Sequence, residues 1–325
     1  MEDVSLSSTD PAPPTGLLGL LDLESAGPDL FLAATPAEGP PRLFGGQVAS
    51  QSLRAATLTV TGDRLVHSLH SYFIRPGRPA APLHLVVERI RDGRSFSTRR
   101  VTAKQGDEAI FVLDASFHVD ESGFDWQVEA PAVALGPDDV PSGGGFMGTG
   151  RRPPWERGSG TGDSARSPGG DDAPTGPTGD DGRSGPPPGS TRGSPFSGTQ
   201  LEMRPLQVSE DFTPHPAWVR ITDPIGDDPA MHACALTYVS DLAVVRSARA
   251  PGAPETGWGG ASLDHAMWFH RPFRIDQWLL FSVDPFTNYG ARGLARGTFH
   301  TEEGTLVASF VQECLLRSTG MPPPP

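Results

Sequence analysis

The feature that most limits the fold of this chain is an internal repeat. Leu65–Ile74 (LVHSLHSYFI) reads as a strand closed by Arg75-Pro76-Gly77, and Ser262–His270 (SLDHAMWFH) reads as a strand closed by Arg271-Pro272. The two prolines are 272 − 76 = 196 residues apart, and the offset carries forward without a gap. Leu83 meets Leu279, Arg100 meets Arg296, and Ile110–Leu113 meets Leu306–Ser309. Two copies of one unit require a fold built from repeats.

Between the copies, residues 136–200 hold 18 glycines and 11 prolines in 65 positions, interrupted by few apolar side chains such as Phe146, Trp155 and Phe196. Such a stretch cannot bury enough surface to offset its ordering entropy, so it reads as a disordered linker. The repeats are then residues 16–135 and 201–318, with the first fifteen residues and the tail Met321–Pro325 expected to be loose. The linker carries 29 of the 74 glycines and prolines in this 325-residue chain, and what remains suits two turn-rich units.

Each copy has one helix and four long strands, after an earlier short strand. In the first, Gln47–Leu58 follows Leu43-Phe44-Gly45-Gly46 with a helical spacing of Phe44, Val48 and Ala55, and small residues beside them permit a close partner. Strands are expected near 65–74, 83–91, 95–104 and 108–118, with Asp92-Gly93 as a hairpin turn. The second copy reads as a helix over 230–246 and strands near 262–271, 277–284, 292–301 and 305–316, turning at Glu303-Gly304. The result is an α+β fold: two antiparallel sheets, each curled round its helix and joined into one continuous sheet, which resembles a double hotdog.

A net charge of −13 argues against a general nucleic-acid binder. The 25 arginines against the single Lys104 read as genome composition. Two cysteines, Cys234 and Cys314, supply neither a disulfide framework nor a four-cysteine zinc site. His67, His70, His265, His270 and His300 match no zinc-binding spacing, so no metal and no cofactor is expected. No run approaches the ~18 apolar residues of a membrane span. The acidic, proline-broken N-terminus is unlike a targeting peptide, and the Pro-Pro-Pro-Pro ending is not a peroxisomal address. A cytoplasmic protein without membrane association is expected. There is no G-x-S-x-G elbow and no phosphate-binding G-x-x-x-x-G-K-[ST] loop.

The repeats resemble the acyl-CoA thioesterase II family of double-hotdog enzymes. The resemblance rests on Leu43–Val48, Leu65–Gly77, Arg91–Ser97 and Ala115–Phe117 in the first copy. In the second it rests on Ser262–Phe273, Ala291-Arg292-Gly293, Leu306–Ser309 and Val311-Gln312-Glu313. It implies hydrolysis of fatty acyl-CoA to a free acid and CoA, through a water held by an Asp, a Gln and a hydroxyl, with no acyl-enzyme. Carried onto this chain, it assigns catalysis to Asp264 in Leu-Asp-His, Gln312 in Val-Gln-Glu and Thr287 before Ala-Arg-Gly.

A thioester carbonyl is already electrophilic, so hydrolysis needs an oriented water, a base and an oxyanion site. Asp264 would take the water proton, and helix-entry amides near Gly45 and Gly46 would receive the substrate, although such glycines also serve helix packing alone. Trp268, Phe269, Phe273 and Phe286 offer an acyl-binding wall, though each also suits a core. Arg271, Arg274, Arg292 and Arg296 offer charge for CoA phosphates, or simply line strand edges. The offset places Asp264, Thr287 and Gln312 on Ser68, Arg91 and Ser116, so one active site per chain is expected. Exposed strand edges suggest a dimer or tetramer. The alternatives are a non-catalytic acyl-CoA-binding protein, and a hotdog enoyl-CoA hydratase or dehydratase.

Overall fold

A computed structural model describes residues 16–36, 41–133, 135–140, 201–206, 216–251, 253 and 257–318. Residues 141–200 of the expected linker, and both expected loose termini, lie outside them. The first half opens with α1 (Gly16–Leu21) and a hairpin of β1 (Glu24–Gly27) and β2 (Leu30–Ala33). Then come α2 (Gly45–Leu58), β3 (Leu65–Phe73), β4 (Leu83–Asp92), β5 (Phe96–Gln105) and β6 (Glu108–His118). The second half runs β7 (Leu201–Pro205), β8 (Ala217–Ile221), α3 (Pro229–Ser240), the single turn α4 (Val244–Ser247) and β9 (Trp258–Ser262). It ends with β10 (Asp264–Phe269), β11 (Leu279–Tyr289), β12 (Arg292–Thr301) and β13 (Leu306–Ser318).

The strands form one antiparallel sheet in the order β1-β2-β4-β5-β6-β3-β10-β13-β12-β11-β8-β7, with β9 extending β13. Read outward from the centre, the two halves mirror each other. The seam is β3 against β10, the equivalent strand of the other copy, with Asp264 opposite Tyr72 and Trp268 opposite Ser68. The offset of 196 holds for β5 and β12, which span 96–105 and 292–301. It becomes 197 in the last strand, because Phe96 pairs with His118 but Arg292 pairs with Leu315. The turn closed by Thr301 and Thr305 holds the extra residue.

Both helices lie inside the curl of the sheet. Leu53, Ala55 and Ala56 of α2 are fully buried, as are Cys234, Leu236 and Val239 of α3. The helices approach closely because Gly46 has no side chain: a Cβ there would stand 2.5 Å from the Tyr238 carbonyl oxygen. Gln51, buried in α2, donates its amide to the Leu20 and Ala34 carbonyls, both at 2.9 Å. That satisfies a polar group that burial would otherwise penalise.

Two boundaries differ from the sequence reading. The helix expected over 230–246 breaks. α3 ends at Ser240, Asp241 forms its cap, and Ala243 takes a left-handed conformation (φ 58°) before α4 resumes. The segment after β6 leaves the first half and lies along the second. Asp125 pairs with Arg271 at 2.6 Å, and the Gln127 side chain donates to the Gly304 carbonyl and accepts the Leu306 N–H. The Leu135 carbonyl accepts the Trp218 indole N–H at 3.1 Å. Val140, read as linker, packs against Trp218, Trp278 and Leu280. No described helix is long and apolar enough to cross a membrane.

Candidate active site

The site begins with a phase change in the strand that the sequence reads as one run. β9 pairs Ser262 with Cys314, whereas β10 pairs Ala266 with Val311. The register therefore steps by one, and Leu263 and Asp264 share the place opposite Glu313 as a β-bulge. Alternation then restarts, so Ser262 and His265, three residues apart, both face inward with Gln312 of β13. Asp264 is turned to the bulge itself. Its Oδ1 accepts the Glu313 N–H at 2.7 Å, replacing the ladder bond that the bulge removes.

The helix break supplies the carboxylate. Asp241, at the end of α3, is 8% exposed and aims at the start of α2. Gln312 Nε2 donates to Asp241 Oδ1 at 3.0 Å and to Ser262 Oγ at 2.7 Å. Ser262 Oγ donates to Asp241 Oδ1 at 3.3 Å, and the Gly46 amide also donates to the carboxylate. Burial nevertheless pushes the Asp241 carboxyl up to about 6, outweighing the hydrogen bonds that favour its ionised form. Gly45 makes room: a Cβ there would lie 2.6 Å from Asp241 Oδ2 and 2.7 Å from the Phe73 ring.

Asp241, Ser262 and Gly45 line a cavity of about 430 Å³ between the two halves. Leu43, Phe44, Val48, Phe73, Phe111 and Val244 make most of its wall apolar, and the exposed Arg42 and Arg75 add positive charge. Its size and composition fit a small-molecule site: apolar walls with a few convergent polar groups.

Of the residues singled out in the sequence, Gln312, Gly45 and Gly46 meet here. Asp264 and Thr287 do not join them. Asp264 is half-buried and engaged by the Glu313 backbone, and burial raises its carboxyl. Thr287 is exposed, beyond a bulge in β11, and faces Leu294 in the ladder. Trp268 packs its ring edge-on against His70, Phe286 is exposed beneath Arg296, and Phe269 stacks on Phe273; none lines this cavity. Arg271, Arg274 and Arg292 are paired with carboxylates. Among the described residues, no group of three or more His, Cys, Asp or Glu is placed to hold a metal ion.

Asp241 and Ser262 escaped the sequence reading. Asp241 appeared to sit within a helix, and Ser262 appeared as the plain start of a strand. The buried Gln was the legible signal, since an amide in an apolar strand requires partners. The change of offset also revises its equivalent: Gln312 corresponds to Ala115, which pairs with Leu69 as Gln312 lies across from His265. In the first half Val66 stands opposite Phe117, as Ser262 stands opposite Cys314. The first copy therefore has Val66 and Ala115 in place of Ser262 and Gln312, and Thr59, engaged by Arg99, at the helix end where the second copy has Asp241.

The fold is a double hotdog, and among the described residues a polar site lies at its seam. Residues 199–315 match the family model described as acyl-CoA thioesterase, and residues 34–118 match its counterpart described as acyl-CoA thioesterase N-terminal domain. The chain is 34% identical over 279 residues to acyl-coenzyme A thioesterase 8 of Mus musculus, covering 85% of this chain and 80% of that protein. It is 30% identical over 304 residues to acyl-CoA thioesterase 2 of Haemophilus influenzae, covering 93% and 96%. The solved acyl-CoA thioesterase II TesB2 of Mycobacterium marinum is 34% identical, with a TM-score of 0.68 over 93% of this chain and 98% of that one. The chain belongs to the TesB-like acyl-CoA thioesterase II family and is a thioester hydrolase.

Proposed function

We propose that the chain hydrolyses fatty acyl-CoA at the seam cavity with Asp241 as general base, and with Gln312 and Ser262 orienting the reacting water. The observation that carries this is a buried carboxylate whose carboxyl sits near 6, held by an amide and a hydroxyl beside an apolar cavity. A base of that strength is well matched to proton transfer near neutral pH.

In this reading, Asp241 removes a proton from water as the water oxygen attacks the thioester carbonyl carbon. The charge developing on the carbonyl oxygen meets the Gly45 amide at the entry to α2, the next amides being engaged by Asp241 and by the Phe44 carbonyl. The tetrahedral intermediate collapses by breaking the C–S bond, and protonated Asp241 returns its proton to the departing CoA sulfur. The products are the carboxylic acid and free CoA thiol, and the carboxylate is regenerated. The apolar wall suits an acyl chain, and Arg42 suits the phosphates of CoA, while Arg75 beside it is paired with Glu108 at 3.7 Å.

Thiol release from a fatty acyl-CoA series tests this against the assignment to Asp264 and Thr287. Asp241→Asn is expected to lose at least about a hundredfold in kcat, the usual scale for a removed general base. Asp264→Asn, whose amide oxygen still accepts the Glu313 N–H, and Thr287→Ala are expected to stay within a few-fold. The reverse pattern would discard Asp241. The same reading includes self-association through β1 and β7, which end the sheet; light scattering from a monomer alone would remove it.

A further inference from the structure

Gln312 can do its work in only one of two orientations. Its amide oxygen and nitrogen are nearly the same size, so packing alone does not choose between them. Asp241, when ionised, only accepts hydrogen bonds, and Ser262 accepts or donates equally well. The remaining neighbour is His265. Its Nδ1 lies 2.6 Å from Gln312 Oε1, and its Nε2 lies 2.9 Å from Ser240 Oγ. The ring is 1% exposed and stacks against Phe310, with centroids 5.4 Å apart.

We infer that His265 is a positioning residue: as the neutral Nδ1–H tautomer it donates to Gln312 Oε1 and thereby locks both Gln312 N–H groups onto Asp241 and Ser262. The inference rests on the reading of Asp241 as the base. It follows from counting donors. Gln312 Oε1 only accepts, so Nδ1 must carry a proton. Burial pulls the imidazole down to about 4, so a neutral ring has no second proton, and Nε2 shares the one Ser240 hydroxyl proton with the Thr237 carbonyl, which lies 2.9 Å from the same oxygen. Ser240, one residue before Asp241, thus ties the tautomer to the same helix end that presents the carboxylate. A second observation comes from the repeat. Where the first copy lacks the carboxylate, Leu69 replaces His265 and Ala115 replaces Gln312, so the two residues are present or absent together.

Without the Nδ1–H, Gln312 can turn its oxygen towards Asp241, and the carboxylate loses a donor and meets a lone pair. Other groups face Asp241 as well. These are the Gly46 amide from α2, Ser262 from β9 and the Cys314 thiol from β13, which burial pushes up to about 12; Arg246, Arg42 and Arg75 line the cavity beyond. None of them is changed by substituting His265. Loss of one hydrogen bond to a charged group raises the carboxyl by about one unit or more.

The test uses thiol release from a fatty acyl-CoA by the full-length chain between pH 5 and 9. His265→Leu is expected to lower kcat at least about tenfold with KM within about twofold, and to move the acidic limb up by about one pH unit. His265→Asn, whose Nδ2–H can stand where Nδ1–H stood, is expected to recover most of the rate and restore the limb. Equal losses in both variants with an unmoved limb would overturn the inference, because a packing role predicts that. Should His265→Leu fail to fold, long-range 1H–15N NMR on the wild-type protein reads the tautomer directly, and an Nε2–H ring at neutral pH would overturn it. Asp241→Asn keeps the two readings apart. If it retains full activity, the base is lost; if it is inactive while His265→Leu behaves as wild type, only the role of His265 fails.

Discussion

Asp241→Asn should make the enzyme inactive and, at neutral pH, more stable relative to its acid-pH behaviour. Folding raises the Asp241 carboxyl from 3.8 to about 6, because the carboxylate is taken out of water beside apolar walls. A raised carboxyl holds its proton more tightly in the folded state. The associated stability is fully present below pH 3.8 and is lost as pH rises through about 6. A rise of about two units at ~1.36 kcal/mol each amounts to about 3 kcal/mol. Asparagine never ionises, so the variant lacks this loss. It also brings a pH-independent cost, because the new amide hydrogens meet the Gly46 and Gln312 donors, and that cost differs little between pH 4 and pH 8. The quantity to measure is therefore the gap between variant and wild type, by urea denaturation across that range. The gap should shift in favour of the variant by about 2.4 kcal/mol between pH 4 and pH 8, with the change centred between pH 4 and 6. Other titrating groups are common to both proteins and cancel. A gap that stays constant would refute the premise that the resting enzyme holds a costly buried carboxylate, and with it the reason Asp241 is a competent base.

Gly45→Ala is expected to cut kcat about a hundredfold while leaving the chain folded, since its Cβ would meet Asp241 Oδ2 at 2.6 Å and Asp241 must move; steady-state kinetics beside far-UV circular dichroism would check this, and unchanged kcat would contradict it. Arg99 is 1% exposed, and its guanidinium donates to Thr59 Oγ1, Asp92 and the carbonyls of Thr59, Arg91 and Thr98. Arg99→Met should therefore lower stability by roughly 3 kcal/mol, leaving Asp92 and the Thr59 carbonyl short of a donor, with little change in KM at the distant seam; denaturant midpoints read it.

Much of the fold was legible because its signals are local. Alternation marked most of the long strands to within a residue or two, although β11 runs five residues past the expected 284 and the run read over 262–271 divides into β9 and β10. Asp92-Gly93 marked its hairpin, and the repeated Arg-Pro step exposed the duplication. One member of the candidate site, Gln312, was legible for a related reason: an amide among Val311, Phe310 and Leu315 conflicts with its surroundings and must be satisfied. Asp264 drew attention through its motif, yet its carboxylate repairs a bulge. Asp241 drew none, since a carboxylate after Tyr238-Val239-Ser240 reads as one more helical residue when the helix seems to continue to 246.

The sequence by itself marked two copies of one α+β unit, the long strands of each, and a buried amide, Gln312, that the first copy does not share. Tertiary structure alone decided which residues meet at the seam. Asp241, Ser262, His265 and Gln312 come from a helix end, an edge strand, the seam strand and its neighbour. They converge because one extra residue at Leu263-Asp264 reverses the inward phase and one left-handed residue at Ala243 ends a helix. A side-chain pattern has period two or 3.6, and a single inserted residue changes every face beyond it. Where that insertion falls is set by the pairing of β13 with two different partners, which no local stretch of the chain contains.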